Sequence, residues 1–97
     1  MIDKETIIKA LRAEKKHLHD RFHVSELGLF GSYMRGEQTD TSDVDVLVDF
    51  DGSVDLFDLV DMEEYLASKL NRKVDIVIKR SLRPAIGEQI LQEVLYL

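Results

Sequence analysis

Residues 43–50, DVDVLVDF, and 73–78, KVDIVI, are two short runs of β-branched and apolar residues joined by a helix-patterned segment of about four turns. A strand, a helical crossover and a second strand in one sheet make the strands parallel, usually through a right-handed connection. Parallel strands begin at the same sheet edge. Within the first strand, Asp43 and Asp45 share a face with Leu47 and Asp49, opposite Val44, Val46 and Val48. Asp75 lies equally early in the second strand, so three carboxylates are expected to converge at one edge.

The preceding segment adds a third strand over residues 24–30, ending at Gly31. Residues 32–35 allow a helical turn, and residues 36–42 form a polar loop. An antiparallel arrangement with the strand from Asp43 would bring Gly31 and Ser32 to the carboxylate edge. Residues 3–22 place Ile8, Leu11, Leu18 and Phe22 at helical spacing behind Asp3 as N-cap. Residues 55–70 place Leu56, Leu59, Val60, Leu66 and Leu70 on one expected buried side, with Asn71 as the stop. Residues 81–97 read as a last helix, with Pro84 in its first turn and a stripe of Ile86, Ile90, Leu91, Val94 and Leu95. The expected architecture is α/β, a small mixed β-sheet with flanking helices, forming a single domain over residues 1–97.

Composition narrows the function. A net charge of −6 argues against an extended nucleic-acid surface, which needs clustered Lys and Arg. Cysteine is absent, which removes disulfides and thiolate metal sites. The opening MIDKETIIKALRAEKK lacks a signal peptide's apolar run, and no segment reaches the roughly 20 apolar residues of a membrane span. A cytoplasmic location without membrane association is expected.

Eight aspartates fall between positions 40 and 61. A solvated acidic face is the plain explanation, but three convergent carboxylates among apolar neighbours repel one another and resist burial. Mg²⁺ answers this with hard-oxygen ligation, and it commonly bridges carboxylates to substrate phosphates. Two such ions can activate an attacking oxygen and stabilise a leaving pyrophosphate. Glycine at Gly31 would admit a close group, while the turn from Ser32 offers N–H donors to an anion.

Other clusters are less informative. Asp49-Phe50-Asp51-Gly52 fails as a calcium loop, because Leu47 would hold the first ligand position. His19 and His23, four apart with His17 nearby, fit a surface pair better than a metal pair lacking a third ligand. Lys79, Arg80 and Arg83 suit either a nucleotide or partner contact or the start of the last helix. Tyr96 and Leu97 fit either core or interface.

The pattern Gly31-Ser32, ten residues, Asp43-Val44-Asp45 and then Asp75 on a later strand resembles the signature of the DNA polymerase beta-like nucleotidyltransferase superfamily. GSYMRG with SDVDVLVDF looks like its minimal nucleotidyltransferase (MNT) group, whose members are often antitoxins encoded beside a HEPN-domain ribonuclease toxin. The resemblance runs from about Val24 to the final helix. It implies a polymerase beta-like core, with Gly31 and Ser32 binding the triphosphate of ATP. Asp43, Asp45 and Asp75 would be the catalytic and metal-holding carboxylates for two Mg²⁺ ions, Asp75 also serving the acceptor hydroxyl. Arg35 would meet phosphate or pair with a carboxylate. Met34 stands where smaller residues are common, a packing variation.

The implied activity is transfer of AMP from ATP to a tyrosine hydroxyl of a HEPN-domain toxin. Two alternatives stay open: an antitoxin that neutralises its toxin by occlusion without catalysis, and a transferase with a small-molecule acceptor. A homo-oligomer is also open.

Overall fold

The structure, a computed structural model, describes residues 3–97. Helix α1 (Lys4–Phe22) starts where Asp3 accepts a hydrogen bond from the Thr6 N–H at 2.9 Å. It ends at His23, which turns left-handed at φ 61° and leads the chain into strand β1 (Val24–Phe30). One helical turn, α2 (Ser32–Arg35), and a loop separate β1 from β2 (Val44–Phe50). Helix α3 (Leu56–Leu70), capped by Asp55 and closed by left-handed Asn71, crosses to β3 (Val74–Ile78). A 3₁₀ turn leads to α4 (Pro84–Glu93) and a two-residue strand, β4 (Leu95–Tyr96).

The sheet order is β3-β2-β1-β4. β2 and β3 are parallel, with Asp45 beside Asp75 and Val46 beside Ile76. β1 runs antiparallel to β2, placing Phe30 opposite Asp45 and Gly28 opposite Leu47. The sheet is therefore mixed, as expected, and the crossover is the helix between residues 55 and 71.

The two faces differ. Val44, Val46 and Val48 are fully buried in one core with Ile7, Leu11 and Leu18 of α1 and Met62, Leu66 and Leu70 of α3. Such a core supplies most of the folding drive, since each large buried aliphatic side chain contributes about 1.5–3 kcal/mol. Leu47 and Phe30 are buried on the opposite face, beside Asp45.

Two expectations fail at the helices. On α3, Leu56 is 73% and Val60 47% exposed. The side that packs is set by Met62, Leu66 and Leu70, and at 3.6 residues per turn Val60 lies about 120° around the helix from its centre at Leu66. The final helix does not run to Leu97. It stops at Val94, whose ψ of 136° is extended, and the chain then pairs with β1. The expected stripe is consequently split. Ile86 and Leu91 are exposed, whereas Leu95 packs against the core from β4, and Gly87 is the buried residue of α4.

Gly28 makes room for this last strand. A Cβ there would stand 2.5 Å from Val94 Cγ2 and 3.2 Å from the Leu95 carbonyl oxygen. Gly28→Ala should lower stability by about 1–3 kcal/mol, the usual cost of overpacking, and expose the β4 amides to rapid hydrogen exchange. An unchanged melting temperature with protected β4 amides would contradict this packing.

Candidate active site

The edge where β2 and β3 begin and β1 ends gathers the expected residues. Asp43 immediately precedes β2, Asp45 is its second residue, and Asp75 is the second residue of β3. The parallel register sets Asp45 and Asp75 side by side on the same face. All three side chains are half-buried.

Asp45 is the most constrained. Burial pushes its carboxyl above the usual carboxylate range, and the negative charges of Asp75 and Asp43 push it further. Asp43 has one modest counter-ion, Lys73 Nζ at 3.7 Å, and that lysine is 74% exposed. A pair so exposed contributes little.

Gly31 has a different use from the one its sequence suggests. At φ 82° it adopts a conformation that L side chains rarely take, and a Cβ would lie 2.0 Å from Asp45 Oδ2. The group that approaches the Gly31 backbone is thus the Asp45 carboxylate. Gly31 caps α2, which Ser32 begins, half-buried, at the same edge. Arg35 closes α2 and pairs with carboxylates: Nε donates to Glu37 at 2.6 Å and Nη1 to Glu93 at 2.8 Å. Hydrogen bonds to Glu37 and then Glu93 hold its guanidinium firmly charged.

Glu93 escapes a reading of the sequence. It sits at the end of α4 and accepts the Gly31 N–H at 2.9 Å through Oε2. Its negative charge is a further influence raising Asp45. Nothing in local spacing links it to Gly31, 62 positions earlier; only the pairing of β4 with β1 does so.

Among the described residues, no three Asp, Glu, His or Cys side chains already surround a point where a metal ion could sit. The carboxylates share an edge and an electrostatic field. That field is the test of fit. A half-buried carboxyl destabilised as an anion by its neighbours is one a divalent cation would relieve, and the all-oxygen donor set suits Mg²⁺.

The remaining polar clusters lie elsewhere. Arg80 bonds Asp49 Oδ1 at 2.8 Å, the Gly52 carbonyl at 2.9 Å and the Phe50 carbonyl, at the far end of β2. Lys79 bonds Glu26 at 3.0 Å. The basic knot therefore ties the C-terminal ends of β2 and β3 to the sheet and does not reach the carboxylate edge. His17 stacks on Tyr65 at 4.5 Å, and His19 faces Asp20 at 3.3 Å. Of the acidic run, Asp55 caps α3 and Asp49 holds Arg80.

Comparison with known proteins identifies the family. The sequence matches the family described as nucleotidyltransferase domain over residues 6–97. It is 47% identical over 96 residues to the protein adenylyltransferase MntA of Thermococcus cleftensis, spanning 99% of this chain and 97% of that protein. A solved structure provisionally assigned as a minimal nucleotidyltransferase superposes with TM-score 0.82 at 36% identity, covering 99% of this chain and 97% of the other. A structure of the tri-AMPylated Shewanella oneidensis HEPN toxin in complex with MNT antitoxin matches with TM-score 0.62 at 26% identity, covering 96% of this chain and 66% of that one.

The raised Asp45 carboxyl fixes the sign of a pH effect. A folded-state value above the unfolded one gives stability that is present at low pH and lost as pH rises through the folded value. Asp45→Asn should therefore raise the melting temperature of the metal-free protein at pH 7, and the gain should vanish as pH falls into the ordinary carboxylate range. A variant less stable than wild type at pH 7 would contradict the field described here.

Proposed function

The chain belongs to the nucleotidyltransferase domain family, and from that premise we propose that it is an antitoxin that transfers AMP from ATP to a tyrosine hydroxyl of a partner HEPN-domain toxin. The observation that carries the reading is the parallel register that sets Asp45 beside Asp75 at the edge where Asp43 and the Gly31-Ser32 turn also lie. Similarity to a protein adenylyltransferase, and to an MNT antitoxin solved with an AMPylated HEPN toxin, supports the donor and the acceptor class.

In this reading the acceptor oxygen attacks the α-phosphorus of ATP in line. The new oxygen–phosphorus bond forms as the bond from the α-phosphorus to the α,β-bridging oxygen breaks, and pyrophosphate leaves with that electron pair. The hydroxyl proton passes to the Asp75 carboxylate. Gly31 and Ser32 line the triphosphate subsite, with the Ser32 hydroxyl as donor. Arg35 lies at its border. Asp43, Asp45 and Asp75 would hold two Mg²⁺ ions, which when bound offset charge on the phosphates and the leaving group. Positioning and charge neutralisation supply most of the rate in such transfers.

The decisive experiment incubates the protein with ATP, Mg²⁺ and its cognate toxin, then weighs the toxin by intact mass spectrometry. Transfer predicts AMP-sized increments on a tyrosine. Asp75→Asn should reduce the transfer rate by about 10²–10⁴-fold, the range of general-base catalysis, and toxin neutralisation should fall with it. An unmodified toxin that both proteins silence equally would replace transfer with occlusion.

A further inference from the structure

Glu93 touches two parts of the site at once. Its Oε2 accepts the N–H of buried Gly31 at 2.9 Å, and its Oε1 accepts Arg35 Nη1–H at 2.8 Å. The side chain is 20% exposed. Behind it the backbone is clamped. The Val94 N–H bonds the Ile90 carbonyl at 2.9 Å, Leu95 and Tyr96 pair with Leu29 and Gly28, and the Leu97 N–H bonds the Leu27 carbonyl at 2.9 Å. A carboxylate two residues before a fixed strand is held in place.

We propose that Glu93 is a positioning residue for the nucleotide subsite, holding the Gly31-Ser32 turn through the Gly31 amide and directing Arg35 along the site edge. The inference rests on the reading of Gly31, Ser32 and Arg35 as that subsite. Two features make the turn dependent on such a tether. Gly31 has no side chain with which to cap α2, and its φ of 82° is not held by any steric preference of its own. The turn also lies against the Asp45 carboxylate, so a shift of Gly31 changes the space beside that group. Arg35 depends on Glu93 in another way. Its second partner, Glu37, is exposed and only two residues away, so that pair alone would leave the guanidinium mobile at the surface. The bond to Glu93 crosses 58 positions of sequence and ties the arginine to the same carboxylate that holds the Gly31 amide. The C-terminal strand thereby becomes part of the nucleotide site without containing a residue that touches the reaction.

The test measures affinity for Mg²⁺ with a non-hydrolysable ATP analogue by calorimetry, and KM and kcat for AMP transfer, in wild type, Glu93→Ala and Glu93→Gln. Glu93→Ala removes both acceptors and should weaken nucleotide affinity by about tenfold or more, while kcat at saturating ATP stays within about threefold. Glu93→Gln keeps one acceptor oxygen for two donors and should fall between wild type and Glu93→Ala. A scaffold role alone would lower the melting temperature while leaving affinity unchanged in the folded protein. Unchanged affinity in either folded variant overturns the proposal. So does tighter binding, which would make Glu93 a competitor for the phosphates. If Glu93→Ala does not fold, Glu93→Gln decides by the same criteria. A wild type that binds nucleotide but transfers no AMP would refute the activity reading and leave the affinity series to judge Glu93; a wild type that binds none overturns both.

Discussion

Asp45 stands half-buried with its carboxylate against the backbone of Gly31, next to Asp75 across the parallel pair and near Asp43 and Glu93. Burial and like charge both disfavour its ionised form. A chain that keeps a group under such opposition must hold it by other means, and here the means is the sheet. Asp45 is the second residue of a strand whose alternate residues, Val44, Val46 and Val48, are completely buried against α1 and α3. A slip of one residue would carry those valines out of the core, so the core fixes the register that confines the carboxylate. Gly31 follows from the same constraint, because any Cβ there would collide with Asp45 Oδ2.

The negative field at this edge has a limited set of answers. Arg35 is the nearby cation that lowers the cost of ionising Asp45, and it is already shared between Glu37 and Glu93. Lys73 is too exposed to do much for Asp43. The side chains at this edge thus leave an excess of carboxylate over cation, which favours divalent ions. At the opposite end of β2 the balance differs, since Arg80 neutralises Asp49 and ties down the carbonyls of Phe50 and Gly52. One strand carries a paired acid near its end and a crowded, only partly compensated one near its start.

Much of this was readable from the chain itself. The alternation in DVDVLVDF and the helix-length gap before KVDIVI determine a parallel pair, and that pair brings Asp45 to Asp75. The caps Asp3 and Asn71, and Pro84 in the first turn of α4, stand where the residue types imply. The C-terminus was not readable. Ile86, Ile90, Leu91, Val94 and Leu95 satisfy a helical period, and a two-residue strand has no period to compete with it; β4 exists because β1 offers it an unpaired edge. Glu93 was hidden for the same reason, since only the pairing of β4 with β1 brings the end of α4 to Gly31. On α3, Leu56 and Val60 look like core by hydrophobicity, but Val60 lies about 120° around the helix from Leu66, and Leu56, although close to the azimuth of Leu70, is the first residue of the helix and stays exposed. Leu56 and Phe57 are 73% and 80% exposed, so hydrophobicity alone did not decide burial.

The central claim is that the crowded carboxylates are a site for metal and nucleotide together. Thermal unfolding with and without Mg²⁺ and a non-hydrolysable ATP analogue tests it most directly. Binding to the folded state alone should stabilise wild type by about 2.7 kcal/mol at a hundredfold excess of ligand over Kd. The double variant Asp43→Asn with Asp45→Asn should remain folded and lose that stabilisation. An equal shift in wild type and double variant would place the nucleotide elsewhere and contradict the account.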